Sequence, residues 1–251
     1  MKLLKFKKRD HTRKQYECVL LKENRASLKF NRERQVKLNW LIPNLDVGGG
    51  GHLNIFRFIK QLEEMKFDIQ VYIVGGCKSI KQSNLIIQNH YPKIEKEAIA
   101  LEIVDQPRDC DGIVATGWQS AYFARHYGNC VEKFYFVQDM EDQFYAQGSL
   151  SSFAAQTYRF GFYGLTAGSW IKDSVLEKFN MPASSFSFSY DKGVYQVKNS
   201  SKQGKKKVLF YARSKTARRG FELGIMTFYL LSEQDKDLEF IFVGMEDNRV
   251  T

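Results

Sequence analysis

Apolar positions in this chain come in short runs, separated by stretches with helical spacing. Leu38-Asn39-Trp40-Leu41-Ile42-Pro43 has the length and apolarity of a buried strand and runs into a glycine cluster, Gly48 to Gly51. From residue 52 to 66 the apolar positions are Leu53, Phe56, Phe58, Ile59, Leu62 and Met65, a broad helical face. Residues 69–74 predict a second strand, 79–97 a polar helical stretch and 100–104 a third strand. Further strands are predicted at 112–116, 133–137 and 163–167. Gln119 to Tyr127 reads as a short helix, residues 138–142 as a polar turn, and Ser169 as the cap of a helix ending at Phe179. Strands alternating with helices predict a parallel sheet covered on both faces, an α/β Rossmann-like domain over residues 38–195.

Residues 196–206 lack large apolar groups and read as a linker. A strand from Val208, a helix over 220–232 and a strand over 238–243 then form a β-α-β unit within 207–251. Two strands and one helix are too few to enclose a core, so this segment reads as the opening of a second, incomplete Rossmann-like domain.

Charge refines this division. The net charge is +10, yet residues 1–37 hold 13 Lys/Arg against 4 Asp/Glu, and residues 196–219 hold 9 Lys/Arg and no acid. The rest of the chain is therefore acidic. The basic 1–37 segment reads either as a solvated tail or as an attachment to anionic lipid. It carries no nucleic-acid-binding motif, so no nucleic-acid partner is expected. No apolar run approaches the ~18 residues of a membrane span, and no apolar stretch follows the basic opening as in a signal peptide. The expected location is cytoplasmic, with peripheral contact at the inner face of the plasma membrane under the lipid reading. Cys18, Cys77, Cys110 and Cys130 have no zinc-ligand spacing and read as reduced structural thiols.

In an open α/β sheet, ligands bind beyond the carboxyl ends of the strands. Three turns there carry candidate chemistry. Gly48, Gly49, Gly50 and Gly51 followed by His52 let backbone approach a phosphate or sugar at a helix start, or simply connect strand to helix. His52 either faces that ligand or packs. The spacing is not Gly-x-Gly-x-x-Gly, because Leu53 stands where a glycine is required, which disfavours an NAD-type oxidoreductase. Gln138, Asp139 and Glu141 end an aromatic strand. They either bond sugar hydroxyls and supply a general base, or form an acidic helix start. Trp118 either stacks on a sugar or fills core. Arg213, Lys215, Arg218 and Arg219 precede a helix as a diphosphate site or as a solvated basic loop. Asp109-Cys110-Asp111 has an Asp-x-Asp pattern but precedes its strand, at the wrong end of the sheet. Asp235-Lys236-Asp237 is misplaced in the same way, so neither a metal nor a cofactor is expected.

Trp40 to Pro43 followed by Gly48 to His52 resembles the opening of family 4 glycosyltransferases, especially a bacterial rhamnosyltransferase branch that builds surface polysaccharides. Phe136 to Glu141, Ser169 to Lys172, and Tyr211-Ala212-Arg213 through Arg218 to Leu223 resemble the same branch, so the likeness runs from about residue 38 to the end. It implies a GT-B fold of two Rossmann-like domains and metal-independent, retaining transfer from a nucleotide-diphosphate sugar to a glycan or lipid-linked glycan. Arg213 and Arg218 would neutralise the leaving diphosphate. The Gly48–Gly51 loop and His52 would lie near the donor phosphates, and Asp139, Glu141, Gln138 and Trp118 on the acceptor side. The family's acidic nucleotide-gripping motif lies beyond Thr251, which implies little turnover by this polypeptide alone. The alternative is a non-catalytic glycan-binding or partner-dependent paralogue.

Overall fold

The computed structural model describes residues 16–31, 33–43, 45, 47, 50–75, 79–197, 204–212 and 217–244. Over these residues the chain forms two compact units. The first runs to Glu141 and resumes at Ser152–Phe188; the second comprises Asp142–Ser151 and the chain from Ser189 on.

The first unit is built on seven strands: β1 (Lys37–Pro43), β2 (Asp68–Val74), β3 (Ile99–Leu101), β4 (Cys110–Ala115), β5 (Cys130–Val137), β6 (Tyr163–Ala167) and β7 (Ala183–Phe186). Their order is β3-β2-β1-β4-β5-β6-β7, and every pairing is parallel. Helices α1 (Gly50–Glu64), α2 (Ile80–His90), α3 (Trp118–His126), α4 (Ser149–Thr157) and α5 (Ser169–Phe179) make the crossovers. The arrangement is α/β and Rossmann-like.

Alternation along the strands sends successive side chains to opposite faces. Trp40, Ile42, Val71, Ile73, Val114 and Phe136 meet Ile55, Phe56 and Ile59 of α1 and Ile87 of α2. Phe58 joins Phe136 and Phe186 in a three-ring cluster with centroids 4.6–5.1 Å apart. On the other face Tyr135 stacks on Tyr158, which meets Phe179 of α5. Tyr122 of α3 lies edge-on to Phe160. The aromatic composition is thus spent mainly in two ring-packed layers.

Several boundaries differ from expectation. The helix expected over 79–97 ends at His90, where Tyr91 returns to extended backbone. Strand β3 is correspondingly three residues long. Helix α4 and strand β7 carry little apolar signal, being rich in serine and alanine, and were not predicted. The cap of α5 is Gly168, at φ +92°, instead of Ser169. That backbone region is costly for any residue with a Cβ.

From Tyr16 on, the basic N-terminal segment is not a solvated tail. Residues 1–15 lie outside the described residues, but the chain from Tyr16 on is part of the first unit. Cys18 is buried, and the amides of Asn24, Ser27 and Leu28 donate to the carbonyls of Arg125, Gly128 and Cys130. Arg125 pairs with Glu23 at 2.7 Å. Arg34 pairs with Asp111 at 2.8 Å, and the same carboxylate accepts from the Lys37 amide at 2.8 Å. Asp111 therefore lies inside β4, contrary to the expectation that it precedes the strand, and it anchors the entering chain. Cys18, Cys110 and Cys130 are buried free thiols, whereas Cys77 lies outside the described residues. Burial pushes the Cys18 thiol up to about 11, and burial with the neighbouring Cys130 pushes Cys110 to about 12.

In the second unit β8 (Lys206–Tyr211) and β9 (Leu238–Val243) pair in parallel and are joined through α6 (Phe221–Gln234). Phe210, Phe228, Phe240 and Phe242 pack together beneath the helix. No residue of α6 is fully buried, and Leu223, Met226, Tyr229 and Leu230 are exposed, as expected of so few elements. Most of the expected linker, residues 198–203, lies outside the described residues. Among the described residues no helix is long and apolar enough to cross a membrane.

At the start of β2, Asp68 accepts hydrogen bonds from Lys96 and Arg108, with Arg108 Nη1 at 2.9 Å from both carboxylate oxygens. Burial alone would raise its pKa, but those bonds and the two positive charges hold it below the usual range. A carboxylate depressed in the folded state contributes stability above its unfolded pKa, and that contribution fades as pH falls through the folded value. Stability is expected to drop below about pH 5 toward pH 3. Urea titrations of the wild type and Asp68→Asn check this: the variant should be less stable at neutral pH, with the difference shrinking in acid.

Candidate functional site

The strand order reverses beside β1. The chain leaves β1 to build β2 and β3 on one side, and leaves β4 to build β5, β6 and β7 on the other. Such a switch point opens a crevice above the carboxyl ends of the two central strands. The chain leaving β1 at Pro43, β4 at Ala115 and β5 at Val137 meets there.

The turn after β4 is closed by one side chain. Ser120 Oγ accepts from the amides of Thr116 and Gly117 at 2.9 and 3.0 Å and donates to the Gly117 carbonyl at 2.9 Å. Gly117 is held close: a Cβ there would lie 3.2 Å from Pro43 Cγ and 3.7 Å from Glu141 Oε2. The Trp118 amide, an orphan donor in the first turn of α3, donates to Glu141 Oε2 at 2.7 Å. Glu141 Oε1 accepts from the Tyr135 hydroxyl at 2.8 Å, and the Glu141 amide donates to the Tyr158 hydroxyl at 2.8 Å. Burial, followed by the nearby Glu141 charge, pushes the Tyr135 phenol well above its ordinary range, so it remains a donor.

These contacts correct two expectations. Glu141 is only 8% exposed and both carboxylate oxygens are bonded, so it anchors the turn after β5 to the start of α3 instead of facing an acceptor. Trp118 is 2% exposed and packs edge-on against Tyr122, which leaves its indole in the core and not on a sugar face.

The remaining strand-end residues, Gln138 and Asp139, are partly exposed. Gln138 Nε2 donates to the Gly51 carbonyl at 3.1 Å, and Asn54 Nδ2 donates to Gln138 Oε1 at 3.2 Å. A Cβ on Gly51 would lie 3.3 Å from Gln138 Nε2, so the glycine makes room for that amide. Gly50 and Gly51 are exposed at the start of α1, while Gly48 and Gly49 lie outside the described residues. Asp139 is half-buried, and its Oδ1 accepts from the Met140 amide at 2.8 Å. His52, in the first turn of α1, lies edge-on to Tyr91 with centroids 6.2 Å apart, the contact of a packing residue. The structure thus brings together Gly51, Gln138 and, unforeseen, Asn54. The available signal was the position of Asn54, three residues after Gly51 on the same helix.

In the second unit Arg218 is exposed in the 3-10 turn Ala217–Arg219, and its guanidinium lies 4.1 Å from the Phe144 ring centroid. Arg213 and Lys215 lie outside the described residues. Among the described residues no three His, Cys, Asp or Glu side chains group as a metal site. Among the described residues, one hollow of about 790 Å³ lies beside β3, lined by Ile80, Asn84, Leu85, Gln88 and Ile99, away from the strand-end ledge of Gly51, Asn54 and Gln138.

No protein-family model matches the chain. It is 28% identical over 215 residues, 82% of its length, to the O-antigen biosynthesis protein RfbC of Myxococcus xanthus, and it spans 17% of that relative. Among solved structures, a protein described as a UDP-N-acetylglucosamine 2-epimerase from Listeria monocytogenes aligns at a TM-score of 0.48 and 10% identity. That alignment covers 86% of this chain and 64% of the other.

If Glu141 is an anchor, truncating it leaves the Trp118 amide and the Tyr135 hydroxyl without their carboxylate partner. Glu141→Ala is expected to cost about 2–4 kcal/mol of folding stability, and Glu141→Gln less, since the amide retains an acceptor oxygen. Urea denaturation followed by tryptophan fluorescence checks this; an unchanged midpoint for the alanine variant would contradict the anchoring role.

Proposed function

We propose that the chain takes part in bacterial surface-polysaccharide biosynthesis as the acceptor-side part of a nucleotide-sugar-dependent glycosyltransferase. The observation that carries this reading is the strand-end ledge at the β1/β4 switch point, where bare glycine backbone meets an oriented carboxamide. A backbone carbonyl and two carboxamides at one place offer the hydrogen-bonding groups that suit a polar, hydroxyl-rich ligand. The similarity to an O-antigen biosynthesis protein supports the pathway, and the family 4 resemblance of the strand-end motifs supports the reaction class.

In this reading the first unit presents the glycan or lipid-linked glycan acceptor. Gln138 bonds its hydroxyls, and Asp139 is the carboxylate nearest the transferred group. Gly48 to Gly51 and the first turn of α1 approach the donor, with His52 beside them. Arg213 and Arg218 of the second unit offset the charge that develops on the leaving diphosphate, a role that in other enzymes falls to a metal. Sugar identity, rhamnose by resemblance, and retention of anomeric configuration belong to the same proposal, as does peripheral contact of the basic N-terminus with anionic membrane.

A second reading rests on the buried commitment of Glu141, which removes one candidate base from the ledge. On it the chain binds glycan without catalysis or acts with a partner. Saturation-transfer NMR with a thymidine-diphosphate sugar, NAD and a glycan as competing probes tests the assignment. The proposal expects transfer to the glycan, only weak transfer to the nucleotide sugar, and none to NAD; NAD binding alone would overturn it. Glycan binding with no transfer at all to the nucleotide sugar would favour the second reading.

A further inference from the structure

Resting on the reading that the basic N-terminus contacts anionic membrane, we propose that the bilayer docks on the folded segment 20–30, at the amino end of the sheet. The ledge, at the other end of β5, is thereby turned away from the lipid.

Helix α3 leaves the carboxyl end of β4 and returns to the amino end of β5, so its last turn marks the amino edge of the sheet. The segment is bound at that edge. The amides of Asn24, Ser27 and Leu28 donate to the carbonyls of Arg125, Gly128 and Cys130. His126 Nδ1 donates to the Lys22 carbonyl at 3.0 Å, and Lys133 Nζ to the Asn24 carbonyl at 2.6 Å. The side chains that reach back onto the unit carry no positive charge. Ser27 Oγ donates to the Gly128 carbonyl at 2.7 Å, Asn24 Nδ2 donates to the His126 carbonyl, and Glu23 pairs with Arg125. Lys22, Arg25 and Lys29 stay exposed.

Two apolar side chains flank these cations in the open: Leu20 is 78% exposed and Phe30 50%. Cations that meet lipid phosphates, with apolar groups that enter the headgroup boundary, are what an anionic bilayer surface binds. Residues 1–15 lead into the segment and add seven Lys/Arg against Asp10. The other basic block is engaged within its own unit. Lys206 lies 3.7 Å from Asp235, Lys207 lies 3.4 Å from Glu239, and Arg218 stands over the Phe144 ring. The separation from the ledge follows from β5. Its first residue, Cys130, accepts from Leu28, and Gln138 follows its last. Eight steps of extended chain at about 3.3 Å each put the two ends about 26 Å apart. A sugar that reaches the ledge then belongs to the outer part of a lipid-linked glycan, remote from its anchor.

The test uses the 251-residue chain and vesicles of phosphatidylglycerol with phosphatidylcholine, or of phosphatidylcholine alone. Co-sedimentation should occur with the anionic vesicles only and weaken as salt is raised. Lys22→Gln, Arg25→Gln and Lys29→Gln should each weaken binding about fivefold, and the triple variant about a hundredfold. The triple variant should keep the urea midpoint of the wild type, because the three side chains are exposed. Lys205→Gln, Lys206→Gln and Lys207→Gln together should leave the affinity within about twofold. Brominated lipids then read the orientation. The exposed indole of the wild type, Trp170, stands in the first turn of α5 past the carboxyl end of β6, and Trp40 and Trp118 are buried. Bound wild type should therefore stay unquenched, whereas the indole of Phe30→Trp should be quenched.

Wild-type affinity in the triple variant, or quenching of bound wild type, would overturn the docking surface while the membrane reading stands. No binding to anionic vesicles, or tighter binding to a random DNA duplex than to them, would overturn both.

Discussion

A parallel strand cannot return to its neighbour through a tight turn; the chain must climb back over the sheet, and around β1 it does so on two sides. The helices after β1 and β2 cover one face, and those after β4, β5 and β6 the other. Every crossover begins at the carboxyl end of a strand, so all the turns that leave strands gather along one edge. That constraint places the glycine-rich turn, the Thr116–Gly117 turn and the Gln138–Glu141 turn within reach of one another, although almost a hundred residues separate the first from the last.

The turns are then fixed by polar groups that the sheet cannot satisfy. The start of α3 leaves amide hydrogens without helical partners, and Glu141, arriving from the end of β5, accepts one of them while Tyr135 holds its other oxygen. A carboxylate at that position is stabilised by the helix dipole and in turn holds the β5 turn against α3. The neighbouring Gln138 is thereby delivered to Gly51 and Asn54. Two residues of one turn thus take different partners: Glu141 is buried against α3, and Gln138 is bonded to the start of α1.

Much of the fold was legible because burial on both faces leaves a plain mark. Strands such as Ile69–Val74 and Tyr163–Ala167 are apolar runs closed by glycine, and the second unit's Leu238–Val243 is as clear. The parts that escaped notice are those whose stability comes from neighbours. Ser149–Thr157 is helical without a strong apolar face, and Ala183–Phe186 is a strand because it pairs with β6 and brings Phe186 to Phe136 and Phe58. The site shows the same division. The glycines mark the start of α1 directly, since only backbone geometry is needed to read them, and Gly51 is the one that the structure sets against Gln138. The roles of Trp118 and Glu141 were not legible, because whether an indole or a carboxylate faces in or out depends on partners distant in sequence. Asn54 was invisible for the same reason: its significance comes from Gln138, 84 residues away.

The central claim is that ligand is held at the carboxyl ends of β1, β4 and β5, and backbone amide chemical-shift mapping tests it most directly. With a glycan probe added to the isotopically labelled chain, the account predicts shifts concentrated in residues 50–54, 116–118 and 137–140. Shifts centred instead on Asn84, Gln88 and Ile99, around the hollow beside β3, would contradict it.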